Sequence, residues 1–222
     1  MTKTAIITAG GIGKRMGSTI PKQFLMLHGK PLLCWTIEQF YDFDSQIQII
    51  VSLPKEWIEF WKELCQENNF TIPHLLVEGG TERFHSIQNA LRFATGDLIA
   101  IHDGVRPLVS KELIRFGFET AALKGSAIPV IGLKESIREV TGSLSCAAPR
   151  SNYRIVQTPQ TFQKEIIQNA YKQSFEVNMT DDACLVESSG ISVTLIDGES
   201  KNIKVTDQVD FALAELLVGL ID

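Results

Sequence analysis

The sequence predicts a mixed α/β fold: a mostly parallel three-layer sheet with helices on both faces, and a protruding β-hairpin arm. Three observations predict it. Short apolar runs alternate along the chain with amphipathic segments of helical period, the pattern of parallel strands joined by crossover helices. The 222 residues suit one large domain, and neither an internal repeat nor a low-complexity stretch divides them, so residues 1–222 are read as a single domain. One segment, 135–150, breaks the alternation with two short β-like runs about a Thr141-Gly142 turn.

In chain order, Thr4–Thr8 reads as the first strand. Pro31 then starts a helix whose Leu33, Ile37 and Phe40 share a face. Ile47–Leu53 is the second strand and Lys55–Asn68 the second helix. His74–Val77 is the third strand, followed by a helix over Thr81–Ala94 with Phe84, Ile87 and Leu91 in register and Thr81 as its cap. After strand Asp97–Ile101, Ser110 caps a helix that ends near Gly125, and Ser126–Val130 is the next strand. The arm pairs Ser136–Val140 with Ser143–Ala147. It carries too few large apolar residues to stand alone, so it must lie on its own body or on another subunit, and an arm exchanged between protomers is preferred. Tyr153–Gln157 and Val193–Asp197 complete the strands. Thr180 caps a helix that stops at Gly190, and Thr206 a last one that turns Leu213, Leu217 and Leu220 inward.

Composition narrows the function classes. Twenty-one Lys and Arg against 26 Asp and Glu give a net charge of −5, with 44% hydrophobic and 21% charged residues. That balance argues against a non-specific nucleic-acid or anionic-membrane binder, yet leaves room for a local cationic pocket. No apolar run approaches the roughly 20 residues of a membrane-spanning helix, and the N-terminal run is too short for a signal peptide. The four cysteines are scattered without paired spacing, which suits buried thiols in a reducing cytoplasm better than a disulfide framework or zinc site.

The chemistry concentrates at the carboxyl ends of the predicted strands. Ala9-Gly10-Gly11-Ile12-Gly13-Lys14-Arg15-Met16 follows the first, and glycines there let backbone N–H groups approach a phosphate. A tight βα turn needing glycine for geometry alone is the plainer alternative. A Walker A loop requires Gly at Thr8 and Ser or Thr at Arg15, and a dinucleotide fingerprint requires Gly or Ala at Met16. All three requirements fail. What remains is a loop with two well-placed cations, Arg15 and Lys22, the second stiffened by Pro21. Attack on an α-phosphorus builds negative charge on its oxygens and on departing pyrophosphate, so fixed cations and N–H donors suit that transition state.

Further along, Arg83 and Ser86 sit in the first turn of the helix after Gly79-Gly80, where N–H groups favour anions and polar ligand atoms. His102-Asp103-Gly104-Val105-Arg106-Pro107 ends the fourth strand. There Asp103 can hold Mg²⁺ or a substrate hydroxyl and Arg106 a phosphate, or the two can form an ion pair that only orders the loop. His102 is expected to bond locally. Lys204 stands just before the last helix.

Six motifs in order resemble the 2-C-methyl-D-erythritol 4-phosphate cytidylyltransferase family of the non-mevalonate isoprenoid pathway. They are the glycine loop with Pro21-Lys22-Gln23; Gly80-Thr81-Glu82-Arg83 with Ser86; His102-Asp103 with Arg106-Pro107; Gln157-Thr158-Pro159-Gln160; Thr180-Asp181-Asp182-Ala183; and Asn202-Ile203-Lys204-Val205-Thr206. The resemblance implies a Rossmann-like, CTP-dependent enzyme that joins a cytidylyl group to a phosphorylated polyol. By the family pattern Arg15, Lys22 and Lys204 are catalytic. Ala9, Gly10, Gly11, Gly13, Lys14, Gly80, Arg83, Ser86 and Asp103 meet the nucleotide. Asp103, Arg106, Ser136, Arg150 and Thr180 meet the acceptor, Ser136 standing where a family threonine is expected. The resemblance also implies Mg²⁺, held by Asp103 or through phosphates and water, and a cytoplasmic homodimer joined through the 135–150 arm. A D-ribitol-5-phosphate cytidylyltransferase shares nearly all these motifs, Gly10-Gly11 and Val105 suiting it and Asn202–Val205 the methylerythritol enzyme. A non-catalytic nucleotide-binding regulator is the alternative of another class, against which Arg15 and Lys22 argue.

Overall fold

A computed structural model describes residues 1–11 and 20–220. In chain order the elements are β1 (Lys3–Thr8), β2 (Met26–Leu27), β3 (Lys30–Pro31), α1 (Leu32–Phe43), β4 (Gln48–Leu53), α2 (Ile58–Glu67), β5 (Leu75–Glu78) and α3 (Arg83–Leu91). There follow β6 (Leu98–Asp103), α4 (Lys111–Lys124), β7 (Ser126–Gly132), β8 (Ile137–Thr141), β9 (Leu144–Ala148), β10 (Arg154–Val156), β11 (Gln160–Gln163), α5 (Lys164–Ala170), α6 (Asp182–Ser188), β12 (Leu195–Asp197) and α7 (Gln208–Val218). The main sheet runs β10-β7-β11-β6-β1-β4-β5, with β12 parallel to β7. β6, β1, β4 and β5 are mutually parallel, whereas β10 and β11 pair antiparallel with successive stretches of β7.

Side-chain alternation divides the strand residues between two apolar layers. Ala5, Ile7, Ile49 and Val51 face one layer with Leu33, Ile37 and Phe40 of α1, Trp61 of α2 and Phe118 of α4. Ile6, Ile50, Ile99 and Ile101 face the other with Ile87 of α3, Ile167 of α5 and Val186 of α6. The three-layer arrangement expected from the sequence is therefore present.

Several local expectations are corrected. α3 begins at Arg83, and Thr81 does not cap it; its hydroxyl bonds His85 Nδ1 at 3.1 Å. The second helix is a 3-10 turn, Lys55–Trp57, running into α2. Asp181, not Thr180, caps α6 by accepting from Cys184 N, and Asp207, not Thr206, caps α7 in a reciprocal capping box with Asp210. On α7 the buried residues are Ala214 and Val218, while Leu213 and Leu220 face solvent. Cys34 alone of the four free thiols is fully buried, and Cys146 is exposed. Ser110 does cap α4, accepting from Leu113 N at 3.0 Å, and Gly125 ends that helix at φ +90°. β11 and α5 are unforeseen.

The arm is a two-stranded hairpin, β8 and β9, with Thr141 opposite Leu144 about a turn where Gly142 takes φ +61°. Nearly all of it is exposed, including Val140 and Leu144, so it does not lie on its own body.

Candidate active site

The carboxyl ends of β1 and β6, with the turn that follows β5, open onto a cavity of about 540 Å³. Backbone bonds beyond the strand ends shape its floor: Ala9 N donates to Ser52 O, Gly104 N to Thr8 O and Gly79 N to Leu53 O. A Cβ at Gly104 would crowd Leu33, Thr8 and Ala9 at 3.0–3.2 Å. Gly80 is more strictly constrained, its notional Cβ lying 2.3 Å from that of His85. The Gly80 N–H donates to Ser86 Oγ at 3.1 Å, and that hydroxyl donates back to Glu82 O, which fixes the turn into α3.

Lys22 reaches the cavity from a 3-10 turn, Lys22–Phe24, anchored by the Phe24 ring against Phe60, Trp57 and Trp61 at 5.3–5.9 Å. Next to it the Gln23 amide donates to Ala9 O at 2.6 Å, tying the turn to the glycine loop. Lys22 is itself buried.

Asp103 is the electrostatic centre. Its Oδ2 lies 3.1 Å from Lys204 Nζ and 3.2 Å from Arg106 Nε, and its Oδ1 3.9 Å from Arg83 Nε. Burial alone would push this carboxyl up; Lys204, Arg83 and Arg106 together outweigh it and hold the acid far below the usual carboxylate range. The Arg106 guanidinium also donates to Asn202 O at 2.8 Å. The ion pair weighed in the sequence therefore exists, and its Asp103 end is part of the cavity wall.

Arg83 is gripped from behind. Asp182, fully buried at the start of α6, accepts from Arg83 Nη1 at 3.1 Å, from Arg83 Nη2 at 2.6 Å and from the Tyr171 hydroxyl at 2.6 Å. Burial works against the arginine's charge, and Asp182 and Asp103 overcome it, raising its already high pKa. Asp182, Tyr171 and Gln23 were given no role from the sequence; the signal available was an acidic pair, Asp181-Asp182, with no cation near it in the chain.

Of the expected site residues, Ala9, Gly10, Gly11, Lys22, Gly80, Arg83, Ser86, Asp103 and Lys204 line this one cavity, and Arg106 is bonded to Asp103 beside it. Gly13, Lys14 and Arg15 lie outside the described residues. Thr180 is not in the cavity; it lines a neighbouring one of about 310 Å³ that shares Glu82 and Arg83 as its wall. Ser136 and Arg150 are exposed at the base of the arm, where Arg150 donates to Lys134 O. A single protomer does not bring these three to the others.

The profile of the 2-C-methyl-D-erythritol 4-phosphate cytidylyltransferase family matches residues 3–219. The chain belongs to that family. Enzymes of that name from Bacteroides fragilis and Phocaeicola vulgatus are 47% and 45% identical to it, each over 98% of this chain and 100% of their own. The crystal structure of the Thermus thermophilus cytidylyltransferase superposes with a TM-score of 0.81 at 31% identity, covering 99% of this chain and 100% of that one. The 4-diphosphocytidyl-2C-methyl-D-erythritol synthase of Anaerococcus prevotii gives 0.83 at 27%, covering 98% and 96%.

For a cytidylyltransferase of this family, the cavity offers cations on one wall and glycine backbone on the other. It does not offer a protein cage for a metal. Both Asp103 oxygens already face cations, and no group of three His, Cys, Asp or Glu side chains among the described residues is placed to hold an ion. Direct ligation by Asp103 would set a divalent ion among three positive side chains. No helix among the described residues is long and apolar enough to cross a membrane.

Proposed function

We propose that this chain transfers the cytidylyl group of CTP to 2-C-methyl-D-erythritol 4-phosphate, giving 4-diphosphocytidyl-2-C-methyl-D-erythritol and pyrophosphate. The observation that carries the reading is the meeting of Lys22, Arg83, Lys204 and Asp103 around one cavity beside the glycine loop, in a chain of net negative charge. An oxygen of the acceptor phosphate attacks the α-phosphorus. The new P–O bond forms as the bond to the bridging oxygen of the β-phosphate breaks, and pyrophosphate leaves with that electron pair. The acceptor phosphate is an anion near neutral pH and needs no general base, so the residues position and neutralise.

In this reading Ala9, Gly10, Gly11, Gly13 and Lys14 hold the triphosphate. Gly80, Arg83, Ser86 and Asp103 receive the cytosine and ribose. Arg15, Lys22 and Lys204 oppose the charge that develops at the α-phosphorus. Arg106 and Asp103 hold the acceptor, together with Thr180 and with Ser136 and Arg150 from the arm of a second protomer. The arm's exposure, and the absence of Ser136 and Arg150 from the lining of their own protomer's cavity, support a homodimer that works by exchange of arms; a cytoplasmic location belongs to the same reading. Mg²⁺ would neutralise phosphate charge.

The test is pyrophosphate release from CTP with methylerythritol phosphate and with D-ribitol 5-phosphate in parallel. Preference for methylerythritol phosphate is expected. Preference for ribitol phosphate, or CTP binding without pyrophosphate release, rejects the reading.

A further inference from the structure

Behind Asp103 and Arg106 runs a buried hydrogen-bond chain. Thr158 Oγ1 accepts from the Asp103 backbone N–H at 3.1 Å and lies 3.0 Å from His102 Nδ1. His102 Nε2 lies 3.2 Å from the carbonyl oxygen of Arg106. His102 is fully buried, and Thr158 is 5% exposed.

The direction of every bond follows from donor counting. A carbonyl oxygen only accepts, so Nε2 must carry the ring proton toward Arg106. The Thr158 hydroxyl has one proton, and its oxygen is already used by the Asp103 N–H. A second proton on Nδ1 would leave that hydroxyl hydrogen with no acceptor among its described contacts. Nδ1 is therefore the acceptor. The chain reads Asp103 N–H to Thr158 O–H to His102 Nδ1, then His102 Nε2–H to Arg106 C=O, and it closes a ring across the turn between Asp103 and Arg106. A third segment is locked to it, since Asn202 Nδ2 donates to Thr158 O at 2.8 Å while Asn202 O accepts from the Arg106 guanidinium.

We infer that Thr158, acting through an Nε2–H His102, is a positioning residue that sets the spacing of Asp103 and Arg106 and thereby the affinity for the acceptor. The inference rests on the proposed function for which substrate those two residues meet. Thr158 does not line the cavity that is to receive the substrates. Its bonds reach the turn carrying Asp103 and Arg106 directly, and Arg83 and Lys204 only through Asp103, whereas the glycine loop hangs from β1.

The experiment compares Thr158→Val, which keeps shape and loses the hydroxyl, with Thr158→Ser, which keeps the hydroxyl. Thr158→Val is expected to raise the KM for methylerythritol phosphate at least tenfold and the KM for CTP by about threefold at most, since of the expected nucleotide contacts only Asp103 sits on that turn. Thr158→Ser is expected to remain within threefold of wild type for both. Nitrogen NMR of histidine-labelled wild-type protein at neutral pH is expected to show His102 with an unprotonated Nδ1, a signature altered in Thr158→Val. An Nδ1–H ring, an acceptor KM unmoved in Thr158→Val, equal increases for both substrates, or a Thr158→Ser as impaired as Thr158→Val would each overturn the inference. Wild-type turnover judges the proposed function; the variant ratios and the ring tautomer judge the positioning role, so the two failures are distinguishable.

Discussion

Asp182→Asn tests whether the acid behind Arg83 holds the wall shared by the two cavities. Asparagine keeps the shape of Asp182, removes its charge and turns one acceptor oxygen into an NH₂ group. In either orientation that group must then face the Arg83 guanidinium, donor against donor, and in one of them it also displaces the oxygen that accepts from the Tyr171 hydroxyl. Breaking a buried ion pair from one side costs ~3–5 kcal/mol. The Arg83 side chain is 31% exposed, so water recovers part of the lost solvation. The expected loss is about 2–4 kcal/mol after that discount. At about 2–4 °C per kcal/mol for a domain of this size, Tm falls by roughly 4–16 °C in a calorimetric scan. Tyr171→Phe removes one bond, leaves the charge pair intact, and is expected to cost about 1–2 kcal/mol. The double variant should be non-additive, because both changes act on one carboxylate. An Asp182→Asn protein melting within 2 °C of wild type, by the same scale, or a Tyr171→Phe protein losing as much as Asp182→Asn, would refute the reasoning.

Lys22→Ala should lower kcat roughly 10²–10³-fold with a smaller change in CTP affinity, as for loss of a charge partner used chiefly in the transition state; single-turnover pyrophosphate release measures it, and near-normal kcat contradicts the role. Arg150→Ala should raise the acceptor KM about tenfold or more and spare CTP, with the reverse pattern counting against an acceptor role for the arm. His102 sets an acid limit: burial pushes its pKa down to about 4 from 6.5, so the unfolded chain binds the extra proton throughout that window. Its contribution is complete above pH 6.5 and drains away as pH falls toward 4, about 3 kcal/mol at full extent. His74, lowered chiefly by burial, acts in the same sense. Denaturant titrations from pH 4 to 7 should show stability rising with pH, and a shallower slope in His102→Gln; an unchanged slope would contradict it.

β1, β4 and β6 are legible in the sequence because each carries a short apolar run that the two layers bury on both faces, and the half-exposed β5 by its Leu75-Leu76-Val77 run. β11 is not, since Gln160-Thr161-Phe162-Gln163 offers a single large apolar residue. Its glutamines are satisfied by distant partners: Gln160 donates to Asp181 and accepts from Ala183 N, and Gln163 donates to Ala121 O and Ala122 O. The helix caps slip by one residue because Thr180 and Asp181, like Thr206 and Asp207, are adjacent cap-competent pairs, and backbone direction chooses between them. In the site, glycine turns and cations at strand ends are visible one by one. Their mutual arrangement is not: nothing in the spacing says that Arg83 turns its two Nη groups toward an acid 99 residues away. Nor does it say that Thr180 faces the smaller cavity.

A site built for two polyanions must also stand empty between turnovers, and like charges crowded there would then push one another apart. Asp103 answers that difficulty as a resident counter-ion, keeping Lys204, Arg106 and Arg83 at fixed stations while no phosphate is present. The incoming anions meet a geometry already set, and the protein keeps its shape without borrowing an ion from solution.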